Sequence, residues 1–305
     1  MELIRFDLRR KYHLGKLIAT LGVFDGLHLA HQKLIQRAVV LAHEQNAKSA
    51  VITFDPHPDY VLKKRQNEGY LTPLSEKKHF LEQMGVDFLI LIPFNRILSN
   101  RLPSEFEDQY LKKFDLIKIV VGYDYRYGKF GQGTTAMLSK RFAVEVISEQ
   151  VINHERFASD MIRQELLLGN LEKANNMLGR PYNISGIVDR GSQIGQKLGF
   201  RTANINVTEP YQSLKVGVYA VVVTIDGVKR LGVCNIGHNP TVKYLQEPRL
   251  EVHILDFDED IYQKWIAVDF IAFIRDEKKF ASLEELANQI REDVKTTRNL
   301  IGDWL

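Results

Sequence analysis

Leu21-Gly22-Val23-Phe24-Asp25-Gly26-Leu27-His28-Leu29-Ala30-His31 decides the fold of the first half of this chain. An apolar, β-rich run, Leu17–Phe24, empties into Asp25-Gly26, and a helical pattern opens just beyond it. Residues three apart on a helix share a face, so His28 and His31 stand together at its start. Free N–H groups and the helix dipole favour an anion there. Two imidazoles in that place can hold phosphate oxygens and stabilise charge that builds up in a transition state. An isolated H-x-x-H is more often a surface pair after a turn. The strand, the turn and the helix around this one favour the phosphate site.

Working outward, strand-like and helix-like segments alternate from residue 17 to about 150. Strands are expected at 17–24, 49–54, 86–92, 116–122 and 141–147, with helices at 31–45, 75–84 and 103–114. Near-continuous apolar strands separated by helices imply a parallel sheet covered on both faces. Ligands then bind beyond the carboxyl ends of the strands. Two more motifs fall at such ends. Thr53-Phe54-Asp55-Pro56-His57-Pro58 is a loop stiffened by two prolines, in which Phe54 can pack against a ring and His57 can meet a phosphate. In Val121-Gly122-Tyr123-Asp124-Tyr125-Arg126-Tyr127-Gly128, the aromatics can stack on a heterocycle and Asp124 can accept its hydrogen bonds. Each also has a plain reading, as a stiff strand exit and a strand edge.

Past Gly179 the periodicity changes, and the domain boundary is placed between 178 and 179. Tyr182–Asp189 alternates apolar and polar; Val216–Ile225 and Val228–Ile236 flank the turn Asp226-Gly227; Arg249–Asp256 and Lys264–Ile274 follow. Such short strands imply a small antiparallel barrel. A last helix opens on the capping box Ser282 with Glu285 and is expected to bury Leu283, Leu286, Ile290 and Val294. The expected fold is therefore α/β plus β: a Rossmann-like parallel-sheet domain over 1–178, then a barrel with a terminal helix over 179–305.

The chain has 305 residues, 45% hydrophobic and 26% charged, with a net charge of +3. That describes a globular protein with room for two cores and gives no argument for nucleic acid. The single cysteine, Cys234, excludes an internal disulfide and suits a reducing, cytoplasmic setting. The start has no signal-peptide shape, and no apolar run reaches the ~20 residues that span a bilayer. No membrane partner is expected, and oligomeric state is not readable.

The opening stretch resembles the G-x-F-D-G-x-H-x-G-H signature of the bacterial bifunctional riboflavin kinase/FAD synthetase family, within the HxGH nucleotidylyltransferases. Thr53–Pro58 matches the family's T-F-D-P-H-P, and Val121–Gly128 resembles V-G-x-[DN]-F-x-F-G. Phe157-Ala158-Ser159-Asp160-Met161-Ile162-Arg163 resembles [IV]-S-S-T-x-I-R. The resemblance implies that Gly22, Phe24, Asp25, Gly26, His28, His31, Ser159 and Arg163 bind ATP, with His28, His31 and Arg163 catalytic. It implies flavin contacts from Phe54, His57, Asp124 and Tyr127. In the second half, Gly179-Arg180-Pro181-Tyr182, the run Gly191, Gly195, Leu198, Gly199 and Phe200, and Arg201-Thr202-Ala203-Asn204 resemble the riboflavin kinase domain. So do Asn235–Thr241 and Glu251–Phe257. By that match Gly191 and Gly195 cradle ATP, Thr202 and Asn204 hold Mg2+ and ATP, and Glu251 is the base for the flavin 5′-hydroxyl.

The implied function is FAD biosynthesis: riboflavin phosphorylated to FMN by the C-terminal domain, and FMN adenylylated to FAD, with pyrophosphate released, by the N-terminal one. Departures from the motifs at Ala30, Ala158, Asp160, Arg201 and Asn239 keep a second reading open. One or both sites would then be impaired, leaving a monofunctional enzyme or a flavin- or nucleotide-binding regulatory protein. Asp160 bears most on this, since a like-charge pair at ~4 Å costs about 4 kcal/mol at an effective dielectric near 20. A nucleotidylyltransferase for another acceptor is the third reading, and the kinase-like half counts against it.

Overall fold

The computed structural model describes residues 1–64, 69–149, 151–152, 155–156, 158–190, 200–237 and 249–304. They form two compact units, Met1–Phe157 and Ala158–Leu305.

In the first unit, β1 (Glu2–Arg5) and β2 (Lys16–Leu21) precede α1 (Leu29–Glu44). β3 (Lys48–Asp55), α2 (Pro58–Val61) and α3 (Leu74–Gln83) lead to β4 (Phe88–Pro93). α4 (Arg96–Ser99) and α5 (Pro103–Gln109) lead to β5 (Asp115–Gly122), then β6 (Arg126–Tyr127), β7 (Gly133–Thr134), α6 (Thr135–Leu138) and β8 (Val144–Ile147). A short hairpin, β9 (Val151–Ile152) with β10 (Glu155–Arg156), ends the unit. The sheet order is β1-β4-β3-β2-β5-β8, with every pairing parallel. The expected parallel sheet is present, with β1 added at an edge that sequence reading missed.

Side chains alternate across the strands, so each must find apolar cover on both faces. Leu17, Ala19, Ala50, Ile52, Ile90 and Val121 pack with Phe106, Tyr110 and Phe114 on one face. On the other, Val51 and Leu89 meet Ile35 of α1 and Leu81 of α3, while Ile18 and Val120 meet Ala38 and Leu41. The chain runs from β2 outward to β3 and β4 and then returns to β5 on the other side of β2. That reversal opens a crevice at the carboxyl ends of β2, β3 and β5, where the three motifs sit.

In the second unit, α7 (Ser159–Leu168) and α8 (Leu171–Leu178) precede β11 (Tyr182–Asp189), β12 (Ala203–Asn206), β13 (Gly217–Ile225), β14 (Val228–Gly237), β15 (Arg249–Ile254), β16 (Trp265–Arg275) and α9 (Leu283–Ile301). The strands close a barrel in the order β11-β12-β15-β14-β13-β16, antiparallel at each described pairing. The Asp226-Gly227 turn takes positive φ at both residues, +49° and +82°, as the tight hairpin expected there requires. Ser282 caps α9 by accepting the Glu285 N–H at 3.1 Å. The buried stripe of α9 differs from the expected one: Leu283 is 57% exposed, and Ala287, Asp293, Thr297 and Ile301 are buried. Asp293 is tolerated there because Arg275 of β16 grips it through two bonds, at 2.9 and 2.7 Å.

The division at 157/158 falls before the boundary expected at 178/179, because α7 and α8 pack with the barrel. Asn175 of α8 shows how. Its Oδ1 accepts the Tyr182 N–H at 2.8 Å, and its Nδ2 donates to the Phe270 carbonyl at 2.9 Å. Asn175→Ala should therefore lower the stability of the second unit by about 2 kcal/mol, two bonds at roughly 1 kcal/mol each. A urea titration monitored at the barrel checks this; an unchanged midpoint would separate α8 from the barrel's stability.

Candidate active sites

At the head of the first unit, a Cβ on Gly22 would lie 2.9 Å from the Phe24 ring, so only glycine fits there. Phe24, Gly26 and Leu27 all take positive φ, which folds the loop tightly onto the start of α1. Phe24 and Leu27 bury their side chains in the core below. Phe24, expected as an ATP contact, is 1% exposed and meets the His31 ring edge-on at 5.2 Å. Its observed role is to support a histidine.

His28 is the N-cap of α1, and its Nδ1 accepts the His31 N–H at 3.4 Å. With Nδ1 accepting, the proton of the neutral ring belongs on Nε2, a donor for an anion. Burial lowers the His28 pKa to about 4 against the opposing pull of Asp25 and Asp124. His31 is stacked on it, with ring centroids 3.6 Å apart. Burial, then the charges of His28 and Lys77, push the His31 pKa down, and its Nδ1 is buried with no hydrogen-bond partner. Two neutral imidazoles thus stand together at a capped helix start, where N–H groups and the helix dipole favour an anion. Asp25 is buried, and its Oδ1 accepts the Thr72 N–H at 3.2 Å.

Beside this loop lies a cavity of about 620 Å3. Phe54, Phe94, Leu98, Phe106 and Tyr127 supply apolar walls, with the cations Lys64, Arg96 and Arg126 also lining it. Of the four expected flavin contacts, Phe54 and Tyr127 line this cavity, and His57 and Asp124 do not. His57 is 5% exposed; it caps α2, its Nδ1 accepting the Asp59 N–H at 3.1 Å, and packs between Tyr60 and Tyr70. Asp124 is exposed, close to Gly122, and acts on His28 by charge. Sequence reading missed Phe94 and Arg96, which reach the cavity because β4 lies beside β3, and Arg126, which flanks Tyr127 in the motif.

Ser159 and Arg163 belong to the second unit, on α7. Arg163 is buried and donates to Gln212 Oε1 at 2.6 Å. Asp160 is inside the first turn of α7; Ala158 is the cap residue, and no side chain caps there. The Asp160 charge still favours the positive helix end.

In the barrel, Glu251 on β15 lies opposite Asn204 on β12 and Asn235 on β14. Paired residues share a face, so these three polar side chains form one row. Asn235 was not singled out from sequence, though its motif was. On the opposite face, Ala203, Val252, Val188 and Ile254 line a cavity of about 290 Å3 whose rim holds Arg201, Thr202, Asp258, Glu259, Asp260 and Tyr262. The structure thus brings Asn204 to Glu251 and places Thr202 at the cavity. Arg201, where the family has proline, donates to the Asp258 carbonyl at 2.6 Å, and its own carbonyl is 2.8 Å from His253 Nδ1. It ties the cavity rim together. Gly191, Gly195 and Asn239 lie outside the described residues.

Among the described residues no cluster of three or more His, Cys, Asp or Glu side chains could hold a metal. A hydroxyl and an amide oxygen, Thr202 and Asn204, are hard donors of the kind that bind Mg2+ together with substrate phosphates. The fit to that ion is one of donor chemistry.

Residues 11–163 match the family model for FAD synthetase, and residues 178–301 match that for riboflavin kinase. The chain is 40% identical to the bifunctional riboflavin kinase/FMN adenylyltransferase of Listeria monocytogenes, over 92% of this chain and 91% of the relative. It is 37% identical to the protein of that name in Bacillus subtilis, over 92% and 90%. A solved structure, described as a macrolide-efflux protein from Streptococcus pneumoniae, superposes with a TM-score of 0.90 at 29% identity, covering 97% of this chain and 99% of that one. Among the described residues no helix is long and apolar enough to cross a membrane.

Proposed function

The chain belongs to the bifunctional riboflavin kinase/FMN adenylyltransferase family, enzymes of FAD biosynthesis, and from that premise we propose which part of it performs each step. FMN adenylylation is assigned to residues 1–178 and riboflavin phosphorylation to residues 179–305. The single observation that carries the first assignment is the stacked, neutral His28–His31 pair at the capped start of α1.

In adenylylation a phosphate oxygen of FMN attacks the α-phosphorus of ATP, the bond to the bridging oxygen breaks, and pyrophosphate leaves. No side chain acts as nucleophile. What the reaction asks of the protein is orientation and donors aimed at the phosphates. His28, His31 and the loop Gly22–Gly26 supply these in the first unit. Ser159 and Arg163 are assigned to ATP on their match to the family segment. The cavity beside the loop suits a flavin ring, with Phe54 and Tyr127 as walls. His57 supports its rim, and Asp124 opposes by charge the lowering of the His28 pKa.

In phosphorylation Glu251 takes the proton of the riboflavin 5′-hydroxyl as that oxygen attacks the γ-phosphorus of ATP, and ADP leaves. Thr202 and Asn204 would hold Mg2+ and ATP, and Gly191 and Gly195 are assigned to ATP on their match to the family's glycine-rich run. The metal, when bound, neutralises charge on the transferring phosphoryl group. The single cysteine, buried at Cys234, suits the cytoplasm.

The experiment incubates the purified chain with riboflavin, ATP and magnesium, and separately with FMN, and quantifies FMN and FAD. Thr202→Ala combined with Asn204→Ala should weaken ATP binding in phosphorylation by about tenfold or more, the loss of two polar contacts of roughly 1 kcal/mol each. FAD formation from supplied FMN should be unchanged. Equal loss of both activities would contradict two separate ATP sites.

A further inference from the structure

The first unit holds a buried cation that neither assignment uses. Lys77 of α3 is 5% exposed. Its Nζ donates to the Val23 carbonyl at 3.1 Å, and the same oxygen accepts the Thr53 hydroxyl at 2.8 Å. Val23 is the third residue of the opening motif and lines the larger cavity. An ammonium has three donors, and this bond uses one.

Burying a lysine is costly unless charge of opposite sign is near. Asp25 and Asp55 supply it and oppose the downward pull of burial on the Lys77 pKa. Asp55 is itself shared with Arg5, at 3.4 Å. Lys77 also acts by charge on His31, whose Nδ1 is buried and unpartnered. The charged and titratable groups that interact here are thus Lys77, His28, His31, Asp25 and Asp55, with Arg5 paired to Asp55 and Asp124 acting on His28. A carboxylate as buried as Asp25, at 1% exposure, would otherwise repel a polyphosphate at the helix start. Lys77 offsets it.

We propose that Lys77 is a positioning residue for adenylyl transfer: its ammonium pins the Val23 carbonyl at the root of the loop and sets a fixed positive charge beside His31 that orients the phosphates of the nucleotide. The inference rests on the adenylylation assigned to this unit.

The test measures FAD formed from FMN by the full chain over a range of ATP concentrations, for Lys77→Met, Lys77→Arg and Thr53→Val. Lys77→Met should lower kcat about 10–100-fold, the cost of misplacing reacting groups by an ångström or less, and should raise KM for ATP. Lys77→Arg keeps the cation and should recover most of the rate. Thr53→Val removes the other donor to the same carbonyl and leaves the charge, so it should stay within about threefold of wild type. The His31 imidazole, followed by NMR titration, should titrate higher in Lys77→Met and unchanged in Thr53→Val. If Lys77→Met costs the unit its fold, Lys77→Gln carries the comparison. A Lys77→Met rate equal to wild type overturns the inference, as does an equal loss in Thr53→Val with no rescue by arginine. A wild-type chain that makes no FAD refutes the assigned function instead.

Discussion

Glu251→Gln should reduce riboflavin phosphorylation about 10²–10⁴-fold, the usual worth of a general base. Glutamine keeps the volume and hydrogen-bonding reach of glutamate and loses only the capacity to take a proton. The register that sets Glu251 opposite Asn204 and Asn235 is therefore retained. Riboflavin binding should persist, visible as unchanged flavin fluorescence quenching. FAD formation from supplied FMN should match wild type, because Glu251 has no assigned part in that reaction. Phosphorylation within a few-fold of wild type would remove Glu251 from the mechanism and point to a solvent base.

The second large effect is at His28. His28→Ala should cut FAD formation about 10²–10³-fold, the cost of removing one donor aimed at developing charge. The substitution also removes the cap that accepts the His31 N–H, at a cost of about 1 kcal/mol in stability. His28→Asn separates the two. Asparagine is a good cap but cannot put a donor where imidazole Nε2 stands. The asparagine variant should regain the stability and keep the activity defect. Recovery of both together would reduce His28 to a helix cap.

The parallel sheet was legible because its strands are apolar on both faces, and each motif announced itself at a strand's end. The barrel was legible because its strands alternate around turn signals such as Asp226-Gly227. What sequence could not supply was adjacency. That β4 lies beside β3 brings Phe94 and Arg96 to the cavity, and the barrel register sets Asn235 against Glu251. Burial is also local. Lys77 sits in the polar run Ser75-Glu76-Lys77-Lys78-His79, yet one of its two lysines is buried. His57 matched its motif fully, and it turns out to cap a helix among tyrosines. Asp160 has the chemistry of a cap but lies two residues past the cap position.

Separate sites for the two steps are tested by mixing the Glu251→Gln and His28→Asn chains with riboflavin, ATP and magnesium and measuring FAD. Neither variant alone should make appreciable FAD: the first cannot make FMN, and the second cannot adenylylate it. The mixture should make FAD, with the His28→Asn chain releasing FMN that the Glu251→Gln chain consumes. A mixture that makes no FAD, while the Glu251→Gln chain also fails to convert supplied FMN, would contradict separate sites.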